Sequence, residues 1–200
     1  MNRSRGEAYM DFPLPQDRKP DNGSEHDIRS FLMRECDVHA LPLEVQENTP
    51  FRFVESFREM LGHYDEPWEF TTFESEADEM VLVRDISFVS LCEHHLLPFI
   101  GFSHVGYIPN GRIAGLSKVA RAVRKRARGI WTQENLTMGI ADFLSDALHP
   151  RGVAVVLEAE HTCMSIRGVK ADAKTTTSAM RGAFREPSNN ARLEFMGLLR

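Results

Sequence analysis

The sequence predicts an α+β chain, an antiparallel sheet with two helices on one face, and three observations lead there. Two consecutive stretches of helical periodicity sit in the middle of the chain. Apolar, strand-like runs stand on both sides of them, in the order strand, strand, helix, helix, strand, strand. The 200 residues are 42% hydrophobic, enough for a single core.

From Met1 to about Ser24 the chain is rich in Pro, Gly, Asp, Asn and Arg, without apolar periodicity. It is expected to be a mobile tail or an arm that orders only against a partner subunit. A short helix is predicted over about Asp27 to Glu35, with Ile28, Phe31 and Leu32 on one side; residues 1–47 thus form an N-terminal tail and helical extension ahead of a domain over 48–200. Asn48-Thr49-Pro50 is read as a helix start, with Phe53, Phe57 and Leu61 recurring at helical spacing as far as about His63. Asp65-Glu66-Pro67 makes a turn. A strand over about Met80 to Val89, with Val81, Val83, Ile86 and Phe88 apolar, delivers the chain into Cys92. A second strand runs from about Phe99 to Ile108, and Pro109-Asn110-Gly111 after it signals an antiparallel hairpin.

Leu116, Val119, Ala120, Val123 and Ala127 mark the first central helix, and Leu136, Ile140, Phe143, Leu144, Ala147 and Leu148 the second. Gly129 separates them, and His149-Pro150-Arg151-Gly152 ends the second. Strand returns at Val153 to Leu157, continuing to Ile166, and again from about Thr175 to Ala183.

Composition limits the function. A net charge of -5 gives the whole chain no electrostatic case for nucleic acid or anionic membrane. No run of about 18 apolar residues is present to span a bilayer, and the N-terminus lacks the apolar core of a signal peptide. The three cysteines, Cys36, Cys92 and Cys163, are an odd number that suits a reducing compartment, so a cytoplasmic protein is expected.

The chemistry concentrates in Leu91-Cys92-Glu93-His94-His95-Leu96-Leu97-Pro98. A Cys-x-x-His spacing lets a tight turn bring thiolate and imidazole to one ion, and that soft pair suits zinc better than magnesium or calcium. Glu160-His161-Thr162-Cys163 offers the third ligand, on an extended strand that would point His161 and Cys163 to one face. Cys92, His95 and Cys163 are therefore the expected metal ligands, leaving a position open as a catalytic zinc requires. His94 and His161 are placed either as acid/base groups or as hydrogen-bonded histidines that orient ligands. Cys36 is read as a simple thiol, small and buried or free.

Ser117 to Arg128 is the main basic cluster. It reads as a solvated helix face, although the Gly115-Leu116-Ser117 opening with Lys118 and Arg121 one turn in would suit a phosphate. Gln133-Glu134, opening the next helix, is either favourable first-turn charge or, in a pocket, an acceptor for a base edge.

Taken together, Ser90-Leu91-Cys92-Glu93-His94-His95, Gly115-Leu116-Ser117-Lys118, Gln133-Glu134-Asn135-Leu136-Thr137, Glu160-His161-Thr162-Cys163 and Thr175-Thr176-Thr177-Ser178 resemble GTP cyclohydrolase I from about Asn48 to near the C-terminus. The resemblance implies the tunnelling fold, in which sheets of several subunits close into an oligomeric barrel, a decamer in the family, with active sites at subunit boundaries. It implies a Zn2+ enzyme converting GTP and water to 7,8-dihydroneopterin triphosphate and formate at the head of pterin and folate-type biosynthesis.

Carried over by motif, the zinc ligands fall on Cys92, His95 and Cys163 and the acid/base histidines on His94 and His161. Ser117 falls near the ribose, Gln133 and Glu134 on the guanine, and Lys118, Arg121 and Arg167 on the triphosphate. Arg52 reaches the phosphates from a neighbouring subunit. Gly129-Ile130-Trp131-Thr132 departs from the usual more polar segment, and Asn135 stands where a basic residue is common.

The alternatives are a same-fold zinc enzyme acting on another purine nucleotide and a zinc-stabilised nucleic-acid module using Arg121 to Arg128. The second lacks aromatic interleaving and positive net charge. A zinc deaminase would need His-x-Glu and Pro-Cys-x-x-Cys, which are missing from the sequence.

Overall fold

The computed structural model describes residues 23–36, 41–63, 67–187 and 190–200. The expected tail therefore lies, through residue 22, outside the described residues, as do residues 65 and 66 of the predicted turn. The chain divides between Glu55 and Ser56 into two compact units.

In the first unit, α1 (Ser24–Glu35) follows Gly23 at φ 95°, with Glu25 and Asp27 in its first turn and Arg34 in its last. That charge order complements the helix dipole. α2 (Leu43–Met60) begins in this unit, and Arg29 of α1 donates to the Glu47 carbonyl at 3.0 Å. The helix starts earlier than Asn48-Thr49-Pro50 suggested. Pro42 is the start signal, its carbonyl accepting from Val45 and Gln46 at 3.0 and 3.2 Å, so Pro50 lies inside the helix. The residues between, Leu43 to Glu47, are mostly good helix formers that extend the helix backwards.

The second unit is built on a five-stranded sheet in the order β5-β2-β3-β6-β7. Its strands are β2 (Val81–Cys92), β3 (Pro98–Ile108), β5 (Ile130–Trp131), β6 (Gly152–His161) and β7 (Lys174–Gly182). β2, β3, β6 and β7 pair antiparallel, and β5 adds a two-residue parallel pairing to β2. The turn Pro109-Asn110-Gly111 does not fold the chain back on β3. Instead β4 (Arg112–Ala114) pairs with β1 (Thr72–Glu74) in a separate ribbon, and β3 turns back on β2 through Glu93 to Leu97. Between Val83 and Ile86 the β2–β3 register shifts at Asp85, φ 58°, whose N–H donates to His104 Nδ1 at 3.3 Å.

The helices α3 (Leu116–Ala127) and α4 (Gln133–Leu148) pack on one face of the sheet, as expected. Val153, Val155 and Leu157 of β6 meet them, while Ala154 and Val156 on the other face meet Phe184 and α6 (Ala191–Leu198). Burial on both faces explains why β6 reads as an unbroken apolar run. α6 has no counterpart in the sequence reading, and it is held by Phe195, which is fully buried and worth about 1.5–3 kcal/mol of transfer free energy. Phe195 lies where a Cβ on Gly106 would stand 2.6 Å from its ring, so only glycine admits it.

Candidate active site

The site lies where β2 ends. Leu96 at φ 55° allows the tight return to β3, and Cys92 N–H donates to the Leu97 carbonyl while its own carbonyl accepts from His95 and Leu96. This loop carries Cys92 buried at its base and His94 and His95 exposed at its tip. Each histidine presents Nδ1 at 3.9 Å from Cys92 Sγ.

β5 fixes the flank. Leu91 donates to the Gly129 carbonyl at 3.2 Å and Glu93 to the Trp131 carbonyl at 3.1 Å, and Gly129 in turn donates to the Met60 carbonyl at the end of α2. Thr132 caps α4 by accepting from Asn135 N–H at 3.2 Å, which places Gln133 and Glu134 at the helix start beside the loop.

The third side comes from β6. His161 is its last residue, and the chain then enters a single helical turn, α5 (Thr162–Ser165). The extended His161-to-Cys163 geometry expected from sequence is thus replaced by a strand end followed by a turn. Thr162 Oγ1 pins that turn to the hairpin by donating to the Pro98 carbonyl at 2.6 Å. The ring of His161 stacks on Phe99, centroids 4.7 Å apart and planes within 4°.

These elements enclose a cavity of about 240 Å³. Cys92, His94, His95, Gln133, Glu134, His161 and Cys163 all line it. The ligating atoms of Cys92, His95 and Cys163 lie within 4.8 Å of one another. Two thiols and an imidazole this close form a soft, tetrahedral-type set that fits zinc and leaves room for a further ligand. Burial, and then the neighbouring Cys92 sulfur, push the Cys163 thiol above its ordinary range, and Arg167 opposes this. Crowded thiols resist ionisation unless a cation sits between them. Burial also holds the His161 imidazole below its usual range, against the pull of Glu134.

Other candidates stand elsewhere. Ser117, Lys118 and Arg121 occupy the start of α3, and none of them lines the cavity. That end is tied to the far end of β3: Tyr107 OH accepts from Ala114 N–H at 3.0 Å, just before the helix. From Phe99, beside the cavity, to Tyr107 the strand rises roughly 26 Å at about 3.3 Å per residue. Lys118 donates to the Glu69 carbonyl at 2.9 Å and lies 5.9 Å from the Trp68 ring centroid. Arg52, in the first unit, pairs with Glu44.

The sequence reading missed the wall formed by Trp131, Thr132, Met164 and Thr175. The departure of Gly129 to Thr132 from the usual polar segment was its one available signal. Gln133, expected beside the base, is only 2% exposed, and its amide is hydrogen-bonded to protein groups throughout.

An α+β chain that gathers two thiols and an imidazole beside a cavity with further imidazoles and a carboxylate is built like a metallohydrolase. Comparison with known sequences narrows that class, since residues 30–200 match the profile of GTP cyclohydrolase I. The chain is 55% identical over 157 residues to the GTP cyclohydrolase 1 of Thermobifida fusca (strain YX), covering 76% of this chain and 75% of that one. It is 48% identical over 157 residues to that of Methylococcus capsulatus, covering 76% and 84%. Against that of Gloeobacter violaceus it is 44% identical over 96% of both. The chain belongs to the GTP cyclohydrolase I family. No helix among the described residues is long and apolar enough to cross a membrane.

Proposed function

We propose that this protein hydrolyses and rearranges GTP, with one water, to 7,8-dihydroneopterin triphosphate and formate, using zinc held by Cys92, His95 and Cys163. The observation that carries the proposal is the convergence of these three ligand atoms within 4.8 Å at the wall of a cavity that also holds Glu134 and two further imidazoles. When bound there, zinc supplies a Lewis acid that activates water for attack at C8 of guanine.

The remaining work falls to the chain's own groups. Glu134 accepts from the guanine N1–H and 2-amino group, which orients C8 toward the ligand cluster. His161, fixed against Phe99, and His94, exposed at the loop tip, move protons to and from the ring nitrogens as the imidazole ring opens and formate leaves.

Ser117 acts on the ribose, and Lys118, Arg121, Arg167 and Arg52 bind the triphosphate. Because Ser117, Lys118 and Arg121 stand roughly 26 Å along β3 from the cavity by the strand rise, a second copy supplies them. That need is met by the assembly we propose, the tunnelling fold closed into a homo-oligomer, a decamer as in the family. The bare apolar residues Val89, Ile100 and Phe102, each 44–51% exposed on one sheet face, support it. The cytoplasm, where GTP is abundant, is the compartment proposed for it.

The test is incubation of zinc-loaded protein with GTP, following formate release and pterin fluorescence after oxidation. Stoichiometric formate and pterin are expected. Turnover of another purine nucleotide in preference to GTP, or full activity with excess chelator, would overturn the proposal.

A further inference from the structure

The hydrogen bonds around Gln133 leave no freedom in where their protons sit. Its Nε2 faces the backbone carbonyls of Leu157 and Thr175 at 3.2 and 2.9 Å and Thr177 Oγ1 at 3.1 Å. A carbonyl can only accept, so the amide nitrogen must point there and Oε1 must point the other way. Oε1 lies 2.8 Å from His161 Nε2. An amide oxygen also only accepts, so His161 Nε2 carries a hydrogen whatever the charge on the ring.

The hydroxyls beyond are fixed by the same reasoning. Thr137 Oγ1 lies 2.6 Å from the Gln133 carbonyl and must donate to it. Thr177 Oγ1, 2.6 Å from Thr137 Oγ1, must then donate to Thr137 and is left to accept from Gln133. The chain of donors thus ends on backbone carbonyls at both sides, and Gln133 and Thr137 are 2% and 1% exposed. Stacking on Phe99 keeps the imidazole plane in place, and the bond to Gln133 Oε1 selects which edge of the ring faces it. His161 Nδ1 has no hydrogen-bond partner among the described residues.

We infer that Gln133 is a positioning residue that locks His161 in the Nε2–H tautomer, so that Nδ1 is the nitrogen exchanging a proton with the substrate, and that Gln133 makes no side-chain contact with the guanine. The inference rests on the nucleotide reading above for its catalytic half and on the hydrogen-bond directions alone for its structural half. Releasing the amide to bind a base would give up the two N–H bonds it shares among the Leu157 and Thr175 carbonyls and Thr177 Oγ1, as well as its acceptor bond from His161.

Two measurements test it. In solid-state 15N NMR of zinc-loaded, 15N-histidine-labelled protein without nucleotide, His161 is assigned by its loss in His161→Asn, and it should show a protonated Nε2. A protonated Nδ1 with a bare Nε2 overturns the inference outright. In kinetics, Gln133→Met should lower kcat on the order of 10–100-fold while KM for GTP stays within about threefold, because a mixed tautomer impairs proton transfer and not binding. A large rise in KM with kcat retained would make Gln133 a base contact and overturn it.

Thr177→Val should keep the tautomer, since the two carbonyls still orient the amide, and its kcat should stay within about threefold of wild type. Loss of the Nε2–H signal in that variant would count against the assigned directions. If Gln133→Met does not fold, the wild-type spectrum still decides the tautomer. If wild-type protein releases no formate from GTP, the nucleotide reading fails while the spectrum separately decides the tautomer.

Discussion

The two ends of the sheet are built on different principles. At the Cys92 end the functional groups come from five segments: the β2–β3 loop, β5, the start of α4, the end of β6 and α5. Each is pinned to another by a short or buried hydrogen bond, such as Thr162 to Pro98 at 2.6 Å. At the Tyr107 end Ser117, Lys118 and Arg121 come from one helical turn, and Ser117 and Arg121 are exposed. Ligating a metal and moving protons need atoms fixed within tenths of an ångström, whereas attracting a triphosphate needs only accessible charge at a helix start. One end gathers its groups around a cavity within the chain, and on the function proposed above the other lends its charge to a site in a second copy.

The sharpest break in that contrast comes from Cys163→Ala. It removes one of three protein ligands at the Cys92 end, so zinc content and formate release should fall together, with turnover down on the order of 1,000-fold or more. Metal analysis of the folded variant checks this. Retained zinc and activity would mean that the ligand set lies elsewhere.

Whether the two ends belong to one site in different copies can be settled by mixing. Cys92→Ala and Lys118→Ala variants, each nearly inactive on its own at subsaturating GTP, should regain roughly a quarter of wild-type activity when coexpressed in equal amounts. That is the fraction of sites drawing Cys92 from one intact copy and Lys118 from another, given random assembly. No recovery from a mixed, assembled oligomer would place both ends in one chain's site.

The clustering of Cys92, His95 and Cys163 was legible because Cys-x-x-His is local and Cys163 stands two residues from a second histidine in another apolar run. The sequence also made the central helices legible through their period. It could not reveal β5, since a two-residue strand exists only through parallel pairing with Leu91 and Cys92 from far away in the chain. Nor could it reveal that Gln133 is buried. A glutamine at a helix start next to a glutamate looks solvent-facing, and only the meeting of Leu157, Thr175 and Thr177 around it gives it partners. The α6 helix was missed because a single buried ring, Phe195, decides its placement and period alone is weak over eight residues. Pro50 misled the start of α2, because the earlier Pro42 carries the same signal.

A smaller effect is expected from Glu134→Gln. Loss of charge-assisted acceptance from the guanine edge should raise KM for GTP on the order of 10–100-fold. The preference for GTP over inosine triphosphate should narrow, since the 2-amino group no longer gains a charged acceptor. Zinc content should not change. Unaltered GTP binding by calorimetry would remove Glu134 from base recognition.

The smallest effects come from deleting one hydrogen bond at each end, and they test the contrast most finely. Thr162→Val removes the donor that ties α5 to the Pro98 carbonyl, so Cys163 is less well placed relative to Cys92 and His95. Zinc affinity should fall about tenfold, at the low end for residues that orient a ligand, with KM for GTP little altered. Tyr107→Phe removes the acceptor for the Ala114 N–H, and both residues are at most 4% exposed. A buried donor left without a partner costs about 1–3 kcal/mol, so thermal stability should drop while zinc affinity stays as in wild type. KM for GTP should rise about two- to fivefold, because the loosened end is the one that carries Ser117 and Lys118. Chelator titration and steady-state kinetics on both variants separate the outcomes. If Tyr107→Phe weakens zinc or Thr162→Val weakens GTP binding to the same extent, the two ends are mechanically coupled within one chain and the division between them is wrong.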